Sequence, residues 1–332
     1  MKKSQNLPFV SVVVIGRNEE KHLEACFRSI FDMDYPLDKL EILYVDTGSR
    51  DQSVNIAKKF NIKIAEEQSN FPSAGLARNR GIEEARYEII HFVDGDMTAD
   101  RDYLKSAITM LNKDNIACVI GDVSEQNTDT SFIANVLHYP WRKRNKGFVD
   151  APGAGGTFLR SALREVGGYN PFILKGQETE LGFRLRQKGY QIYKVETRMG
   201  THDYAIHDIR SLVKHSYTMG KSYGKILTLP PQQSYSDFIV HARNLLIQGV
   251  ILLAVILFLL ITKKLLFLLA IPVILLIYVT ILHLKEYYAH RDWYAPVYYL
   301  LMHFSKPIVL CGLLVQLSKH FLNSLSRFFV KR

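Results

Sequence analysis

The chain is poor in cysteine, with Cys26, Cys118 and Cys311 as the whole complement of its 332 residues. An odd number of widely separated cysteines indicates neither a disulfide framework nor a zinc site, and it suits a reducing compartment. The sequence also lacks the signature of a nucleic-acid-binding module, although its formal net charge is +10. We therefore expect no nucleic acid partner. The charge instead suits phosphorylated substrates or an anionic lipid surface.

A signal-peptide cleavage pattern is missing near the amino terminus. The apolar run at residues 9–15 is short and β-branched, and the charged residues Arg17, Glu19 and Glu20 follow it directly. A secretory leader has a longer apolar region that ends in small residues. We therefore interpret this run as a first buried strand and expect the domain at residues 1–240 to be cytosolic.

Charge is almost absent from residues 245–281, where Lys263 and Lys264 are the only charged side chains. The apolar runs at residues 245–262 and 265–282 are each about long enough to cross a hydrocarbon core. They predict two membrane spans, and hence a multi-pass protein of the cell membrane with membrane lipids as partners.

A third apolar segment, at about residues 297–317, lies in the predicted membrane domain at residues 241–332. It contains Lys306 and Pro307, so it is either a third span or a kinked helix in the membrane interface. We favour the interfacial form, because it leaves the basic tail at residues 319–332 on the cytosolic side.

Strand-like and helix-like segments alternate before residue 240. Runs rich in β-branched residues predict strands at residues 10–15, 40–45, 62–65, 89–93, 117–121 and 190–195. Apolar residues at three- and four-residue spacing predict helices that begin near residues 23, 52, 73 and 103. This alternation is typical of an α/β fold with a mostly parallel sheet flanked by helices.

Two carboxylates, Asp94 and Asp96, follow one of these apolar runs and are separated by a single glycine. Ligands of open α/β sheets bind beyond the carboxyl ends of the strands, so both side chains are expected to face a cleft. They can converge there on a hard divalent cation, Mg²⁺ or Mn²⁺, although Asp-Gly is also common in solvated turns. Asp46 ends another predicted strand, where it can bind a nucleoside or cap the next helix.

Four motifs in the first hundred residues carry a resemblance to a known family. They are VVVIGRNEE at residues 12–20, VDTGSRD at 45–51, ARNRGI at 77–82 and FVDGD at 92–96. In this order they resemble the nucleotide-sugar half of glycosyltransferase family 2, which has the GT-A fold. The resemblance implies a Rossmann-like glycosyltransferase domain, a nucleotide-sugar donor and a divalent cation, followed here by transmembrane helices.

The same resemblance implies donor contacts for residues of the first three motifs. It assigns substrate binding to Asn18 and Glu19, places Asp46 at the nucleoside and places Arg78 near the nucleotide. The family often has a second acidic residue where Thr47 stands, which leaves the preferred base open.

The fourth motif and two later positions complete the implied donor site. Asp94 is expected against the nucleotide sugar, and Asp96 is expected to hold the metal and through it the diphosphate. His202 follows a later strand, at a position from which GT-A enzymes often draw a metal or diphosphate ligand. Gly155 and Gly156 belong to a glycine-rich stretch without a P-loop lysine, and the resemblance places them where donor sugar and acceptor meet.

The catalytic base is expected in GQETELGFRL at residues 176–185. The resemblance aligns Glu178 with the family's base, and Gln177 stands where the family usually has glutamate. An inverting transfer needs such a carboxylate to take the proton of the acceptor hydroxyl as its oxygen attacks the anomeric carbon. Acidic residues are also common in the first turn of a helix because of its dipole, and Glu180 is the second candidate.

Residues 142–157, Gly168, Tyr169 and the Glu178 motif together resemble the succinoglycan-type branch of the family. This implies a polyprenyl-linked saccharide as acceptor, in exopolysaccharide or cell-surface glycan synthesis. The Gln-x-x-Arg-Trp motif of processive members is missing, so one sugar is expected per encounter. The basic, tyrosine-rich residues 208–229 suit a membrane interface.

Two other functions stay compatible with the sequence. A polyprenyl-phosphate glycosyltransferase, in which the lipid phosphate itself attacks, would need little help from a base. A membrane scaffold that kept the fold without catalysis is the contrasting class, and the presence of Asp94, Asp96 and Glu178 argues against it.

Overall fold

The structure is a computed structural model of the whole chain. It describes residues 7–69, 72–111, 113–125, 131–137, 146–153, 155–203, 206, 208–228, 243–244, 247 and 294–330. The chain divides into two compact units, one made of Met1–Gln126 and Pro140–Tyr204 and the other of Asn127–Tyr139 and Ala205–Arg332. The predicted domain boundary near residue 240 falls outside the described residues and stays a prediction.

Strands and helices alternate through the first half of the chain, as expected. The described strands are β1 (Val10–Gly16), β2 (Leu40–Asp46), β3 (Lys63–Glu66), β4 (Ile89–Asp94), β5 (Met97–Ala99), β6 (Ile116–Glu125), β7 (Gly147–Phe148), β8 (Gly156–Leu159) and β9 (Gln191–His202). The described helices are α1 (Leu23–Phe31), α2 (Ser53–Ala57), α3 (Ala74–Glu84), α4 (Tyr103–Met110), α5 (Phe132–Leu137), α6 (Arg160–Glu165), α7 (Gln177–Gln187), α8 (Ile209–Leu227) and α9 (Tyr294–Val330).

The first unit contains one sheet in the order β3-β2-β1-β4-β8-β6-β9-β5, with β7 paired to β9. Its first four strands are parallel, which confirms the α/β prediction. Strand β8 is antiparallel to both β4 and β6, and β5 and β7 are antiparallel to β9. Strands β6 and β9 are parallel to each other, so the sheet is mixed, and the expectation of a mostly parallel sheet holds fully only for β3, β2, β1 and β4. Apolar patterning reports burial and not strand direction, so it could not distinguish the two arrangements.

Both faces of the sheet are buried, and β1 shows why its sequence is apolar without alternation. Val12 and Val14 belong to one core, together with residues of α1 and α4. Val13 and Ile15 belong to a second core on the opposite face, together with residues of α3, α6 and α7. A central strand covered by helices on both faces has no side open to water, so its positions are apolar except for Ser11, whose hydroxyl donates to Glu41.

Helix α3 lies close against β1, and Gly81 permits this approach. A Cβ atom added at Gly81 would lie well inside van der Waals distance of Cγ1 of Val13, which is fully buried. Arg78 belongs to the same helix, so this close packing also helps to bury the Arg78 side chain in the first unit.

We expect Gly81→Ala to lower the free energy of unfolding by about 1–3 kcal/mol, because the added methyl overpacks a filled core. Thermal or denaturant unfolding of the purified protein measures this. Val13→Ala in the same chain should recover part of the loss by opening space for the methyl. Equal losses that simply add in the double variant would contradict this explanation.

In the second unit, the backbones of α8 and α9 lie in close contact. A Cβ added at Gly220 would collide with the carbonyl of Val309, and one added at Gly312 would collide with the carbonyl of Tyr217. Glycines at a helix crossing permit this closeness because they carry no side chain to separate the backbones. Helix α5 also contacts α9.

The predicted membrane spans at residues 245–262 and 265–282 lie outside the described residues, so they stay predictions. The third segment, at about residues 297–317, lies within α9. Among the described helices, none combines the length and apolarity needed to cross a membrane.

Candidate active site

Three side chains from two strand ends meet at one edge of the sheet in the first unit. Asp94 ends β4, Asp96 follows in the turn to β5, and His202 ends β9. His202 reaches them because β5 pairs with β9, with Met97 opposite His202. Its Nε2 lies 3.2 Å from Oδ1 of Asp96 and 3.6 Å from Oδ2 of Asp94. One ligand atom from each of the three residues lies within 4.8 Å of the others.

The electrostatics of this cluster favour a cation. Burial alone lowers the pKa of His202, but its interactions with Asp94 and Asp96 outweigh burial and raise the pKa to about 10. Burial likewise raises the pKa of Asp94, but Arg78 and His202 outweigh it and hold that pKa well below its usual range. The carboxylates of Asp94 and Asp96 therefore lie beside positively charged groups, namely His202 and Arg78. A metal ion would displace the proton of His202, and the neutral imidazole with the carboxylate oxygens then fits Mg²⁺ or Mn²⁺, as predicted.

Glu19 lies beside the same cluster. Its Cγ is the atom nearest to a Cβ built at Gly95, between the two aspartates. Burial, followed by the charges of Asp96 and Asp94, raises the pKa of Glu19 to about 8. The structure thus places this residue near the expected metal site, and its predicted contact with substrate stays a prediction.

Hydrogen bonds join the loop after β1 to the loop after β2. The Asn18 backbone N–H donates to Oγ of Ser49 at 2.9 Å, and the Asn18 side chain accepts from the Arg50 N–H at 2.8 Å. The Glu19 N–H donates to Oγ of Ser53 at 2.8 Å. Asn18 has a positive φ of 60°, a backbone conformation that asparagine tolerates better than most residues. The two loops of the expected nucleoside site are therefore one connected element.

The carboxylate of Asp46 accepts several hydrogen bonds within this loop element. Its carboxylate accepts hydrogen bonds from the N–H groups of Gly48 and Ser49 at 2.9 and 2.8 Å, from the Tyr44 hydroxyl at 3.0 Å and from Oγ of Ser49. The residue is only 2% exposed. Protein donors thus engage both of its oxygens within the turn after β2, and not at α2, whose N-cap residue is Gln52. A nucleoside contact of Asp46 stays a prediction.

Arg78 lies at the centre of the site, with only 2% of its side chain exposed. Its Nη2 donates to Oδ1 of Asp94 at 2.9 Å, and its Nη1 donates to Oε1 of Glu178 at 3.1 Å. Its guanidinium also lies over the ring of Tyr169, 5.1 Å from the centroid. The structure therefore brings Arg78 against two predicted active-site carboxylates, which the sequence did not indicate. Its predicted position near the nucleotide stays a prediction.

The two candidate bases on α7 have different environments. Glu180 is 1% exposed, and Arg184 binds both of its carboxylate oxygens, at 2.8 and 2.6 Å. Glu178 is 25% exposed and lies beside Arg78. A base must reach the acceptor hydroxyl, so this geometry favours Glu178 over Glu180.

Gly156 begins β8 and Gly155 directly precedes it, beside the end of β4. Both have positive φ values, 82° and 124°, which glycine adopts without strain. Gly156 pairs with Phe92 across the strands, and a Cβ at Gly155 would lie 2.9 Å from the Phe92 carbonyl oxygen. The antiparallel insertion of β8 therefore places both glycines next to the Asp94 strand, and their role toward sugar or acceptor stays a prediction.

A buried polar network supports this turn. The Nδ1 of His91 lies 3.3 Å from the Gly156 carbonyl oxygen and 3.2 Å from Oγ1 of Thr157. Oγ1 of Thr157 in turn lies 3.4 Å from the Tyr103 hydroxyl, which donates to the Val119 carbonyl at 2.6 Å. Neither His91 nor Thr157 was predicted from the sequence as a site residue. The signal that could have indicated His91 is a histidine inside an otherwise apolar strand.

Because burial lowers the pKa of His91 from 6.5 to about 4, the protein should lose stability in mild acid. The unfolded chain takes up the proton below pH 6.5 and the folded chain resists it until about pH 4. We expect a loss of about 2 kcal/mol between pH 8 and pH 5 from this residue alone. Unfolding of wild type and His91→Asn at both pH values measures it. An unchanged pH dependence in His91→Asn would contradict the assignment to His91.

Part of this chain, including much of the site, matches a known protein family. The family model for Glycosyl transferase family 2 matches residues 11–167, which include β1 to α6 and therefore Arg78, Asp94 and Asp96. The chain is a glycosyltransferase, and its residues 11–167 are similar to family 2. Its first unit, with the mixed sheet described above, is the GT-A-like part of this glycosyltransferase.

Curated relatives agree with this assignment. The glycosyltransferase is 26% identical over 229 residues to Glycosyltransferase AglE of Haloferax volcanii, covering 66% of this chain and 74% of the relative. It is 23% identical over 241 residues, with the same two coverages, to a Methanococcus voltae protein named dolichyl N-acetyl-α-D-glucosaminyl phosphate 3-β-D-2,3-diacetamido-2,3-dideoxy-β-D-glucuronosyltransferase. Another match, to Probable glycosyltransferase YdaM of Bacillus subtilis, covers 49% of that protein.

A solved structure shares the fold of this glycosyltransferase over most of its length. It is mannosyltransferase PcManGT from Pyrobaculum calidifontis, in complex with GDP-Man and Mn²⁺. The match has a TM-score of 0.60 and 17% sequence identity, and it covers 92% of this chain and 88% of the other. At this identity the likeness concerns the fold.

Proposed function

We propose that this glycosyltransferase is metal-dependent and inverting, and that it transfers one sugar from a nucleoside-diphosphate sugar to a lipid-linked saccharide at the cytosolic face of a membrane. The observation that carries the proposal is the arrangement of Asp94, Asp96 and His202 beside Glu178, with Arg78 contacting both Asp94 and Glu178. A donor-side cation cluster and an accessible carboxylate are the two parts that a single displacement needs.

On the donor side, Asp96 and His202 would hold a divalent cation, with Asp94 as a further ligand or as a contact to the donor sugar. The bound cation would supply positive charge to the diphosphate as it departs. Asp94 has one oxygen engaged by Arg78, so its Oδ2 is the atom that faces His202. Glu19 adds a third carboxyl group at this edge of the sheet.

On the acceptor side, Glu178 would take the proton of the attacking hydroxyl. The hydroxyl oxygen forms the new bond to the anomeric carbon as the bond from that carbon to the diphosphate oxygen breaks, which inverts the configuration. Glu178 ends the step protonated and the diphosphate leaves as the anion. Arg78 engages Oε1 of Glu178, and the 25% exposure of this side chain supports access by the acceptor.

The acceptor class and the location are supported by the sequence and by one relative. The name of the Methanococcus voltae protein includes a dolichyl phosphate saccharide, which describes a lipid-linked acceptor. Residues 245–262 and 265–282 of this chain are apolar enough to anchor an enzyme beside such a substrate. Nucleotide sugars are cytosolic, so the first unit would face the cytosol.

Release of nucleoside diphosphate tests the proposal. Detergent-purified full-length protein would be incubated with Mn²⁺, membrane lipid extract and a panel of UDP- and GDP-sugars. We expect turnover of one donor that requires both the metal and the lipid extract, and a product with inverted anomeric configuration by NMR. Turnover that persists in excess chelator, or a product with retained configuration, would refute the metal-dependent or the inverting part.

A further inference from the structure

Arg78 is among the largest side chains that are almost completely buried in the described part of the chain. It enters from α3, while its two carboxylate partners come from β4 and from the first turn of α7. Glu178 is 100 positions away from it in the sequence and Asp94 is 16 away. One guanidinium therefore joins three separate elements of the first unit.

The contacts of Arg78 differ from those of an arginine that binds a diphosphate. Such an arginine presents its terminal N–H groups to solvent or ligand, whereas Nη1 and Nη2 of Arg78 each contact a protein carboxylate in a buried position. Burial lowers the pKa of Arg78, but the charges of Asp94 and Glu178 outweigh it and leave the pKa raised. The guanidinium is thus a permanent cation whose charge is directed at these two residues.

Glu178 has a flexible side chain whose orientation a partner such as Arg78 would restrict. It lies at the start of α7, where the N-cap residue Gly176 has a φ of 80° and makes no side-chain capping hydrogen bond. The side chain of glutamate has three rotatable bonds, and a carboxylate misplaced by about 1 Å can cost about 100-fold in rate. A fixed N–H donor that engages Oε1 would hold the orientation of the carboxylate.

We propose that Arg78 is a positioning residue that sets the orientation of Glu178 relative to Asp94, and so relates the acceptor side of the reaction to the donor side. The inference rests on the proposed function of Glu178 as the base. It assigns Arg78 an intramolecular role in place of the nucleotide contact implied by the family resemblance. Arginine is required because its planar fork reaches two carboxylates at once, which a lysine ammonium does not.

Gln177 makes the arrangement more specific. Its Oε1 lies 3.4 Å from Nη1 of Arg78, and its Nε2 donates to the Ile173 carbonyl. Because Gln177 is neutral, Asp94 and Glu178 are the two carboxylates among the contacts of Arg78 given above. A glutamate at position 177 would place a third carboxylate beside Nη1, in competition with Glu178.

The test compares Arg78→Lys with Arg80→Lys. Arg80 is on the same helix but forms ion pairs with Glu83 and Glu84 nearer the surface, so it is the matched control. For each full-length variant we would measure the melting temperature, the Kd of Mn²⁺ with UDP or GDP by calorimetry, and the rate of sugar transfer. Binding of metal and nucleotide does not require the acceptor base.

We expect Arg78→Lys to lower kcat for transfer about 100-fold while the Kd for metal and nucleotide changes less than about threefold. Arg80→Lys should resemble wild type. In a Glu178→Gln background, Arg78→Lys should cost less than about threefold more, since it acts through Glu178. A purely structural arginine would give losses that multiply.

A second variant covers the case in which Arg78→Lys fails to fold. Gln177→Glu keeps Arg78 and should lower kcat for transfer with little change in nucleotide Kd. Loss of nucleotide binding in Arg78→Lys, or losses that multiply with Glu178→Gln, would overturn the inference alone. Unchanged transfer in both Arg78→Lys and Gln177→Glu would overturn it as well. An inactive wild type without metal-dependent nucleotide binding would instead overturn the proposed function.

Discussion

Glu178→Gln is expected to lower the rate of sugar transfer about 1,000-fold, because it removes the group that takes the acceptor proton and leaves the size of the side chain unchanged. Glutamine keeps an oxygen that can accept from Nη1 of Arg78, so the fold should persist. Metal and nucleotide binding should also persist, since Glu178 is 25% exposed and lies outside the cluster of Asp94, Asp96 and His202. The rate of transfer and the Kd of nucleotide, measured side by side, separate these effects.

Two further variants make this result specific. Glu83→Gln makes the same chemical change at an exposed position of α3 and should retain full activity. Glu178→Asp keeps a carboxylate that is one methylene shorter, and it should retain more activity than Glu178→Gln. Equal activity of wild type and Glu178→Gln would contradict a base at this position. It would favour the alternative in which a lipid phosphate, already ionised, attacks the donor.

Asp96→Asn is expected to weaken binding of Mn²⁺ by about 100-fold or more and to remove transfer with it. An amide has no negative charge and offers a weaker oxygen ligand to a hard cation. The imidazole of His202 would lose its 3.2 Å partner at the same time. Mn²⁺ binding followed by electron paramagnetic resonance tests this directly, without any turnover of substrate.

Thermal stability gives an independent measurement of the same prediction. A ligand at 100 times its Kd stabilises the folded state by about 2.7 kcal/mol, so Mn²⁺ with the preferred nucleoside diphosphate should raise the Tm of wild type. Asp96→Asn should lose this increase. Asp102→Asn, at an exposed N-cap without a side-chain capping bond, is the matched control and should keep it. A full metal-dependent increase in Asp96→Asn would show that the cation binds elsewhere.

The sequence determined the local structure of the donor half of the first unit. The strands β1, β2 and β4 are mostly apolar because a strand buried on both faces has few positions that favour a polar side chain. Asp46, Asp94 and Asp96 could be located at the ends of these strands for the same reason, since the runs stop where the chain leaves the core. These signals are contained within about ten neighbouring residues, so they can be found without the fold.

The sequence did not show which partner each candidate residue would have. Glu178 and Glu180 have the same chemistry and lie in the same helical turn, yet Arg184 engages Glu180 and Arg78 engages Glu178. From its position alone, Asp46 could be a nucleoside ligand or a cap of the next helix. Its burial and its bonds to Gly48 and Ser49 come from the folded turn.

Only the tertiary structure decided how the site is assembled. His202 meets Asp96 through the antiparallel pairing of β5 with β9, and Gly156 lies beside Phe92 through the antiparallel insertion of β8. Arg78 meets Glu178 across 100 positions of sequence. Strand direction and long-range pairing depend on which elements pack together, and the period of apolar residues is the same whichever neighbours they choose. Local pattern thus located the acidic strand ends, the family resemblance supplied the other candidate residues, and the contacts among them followed from packing.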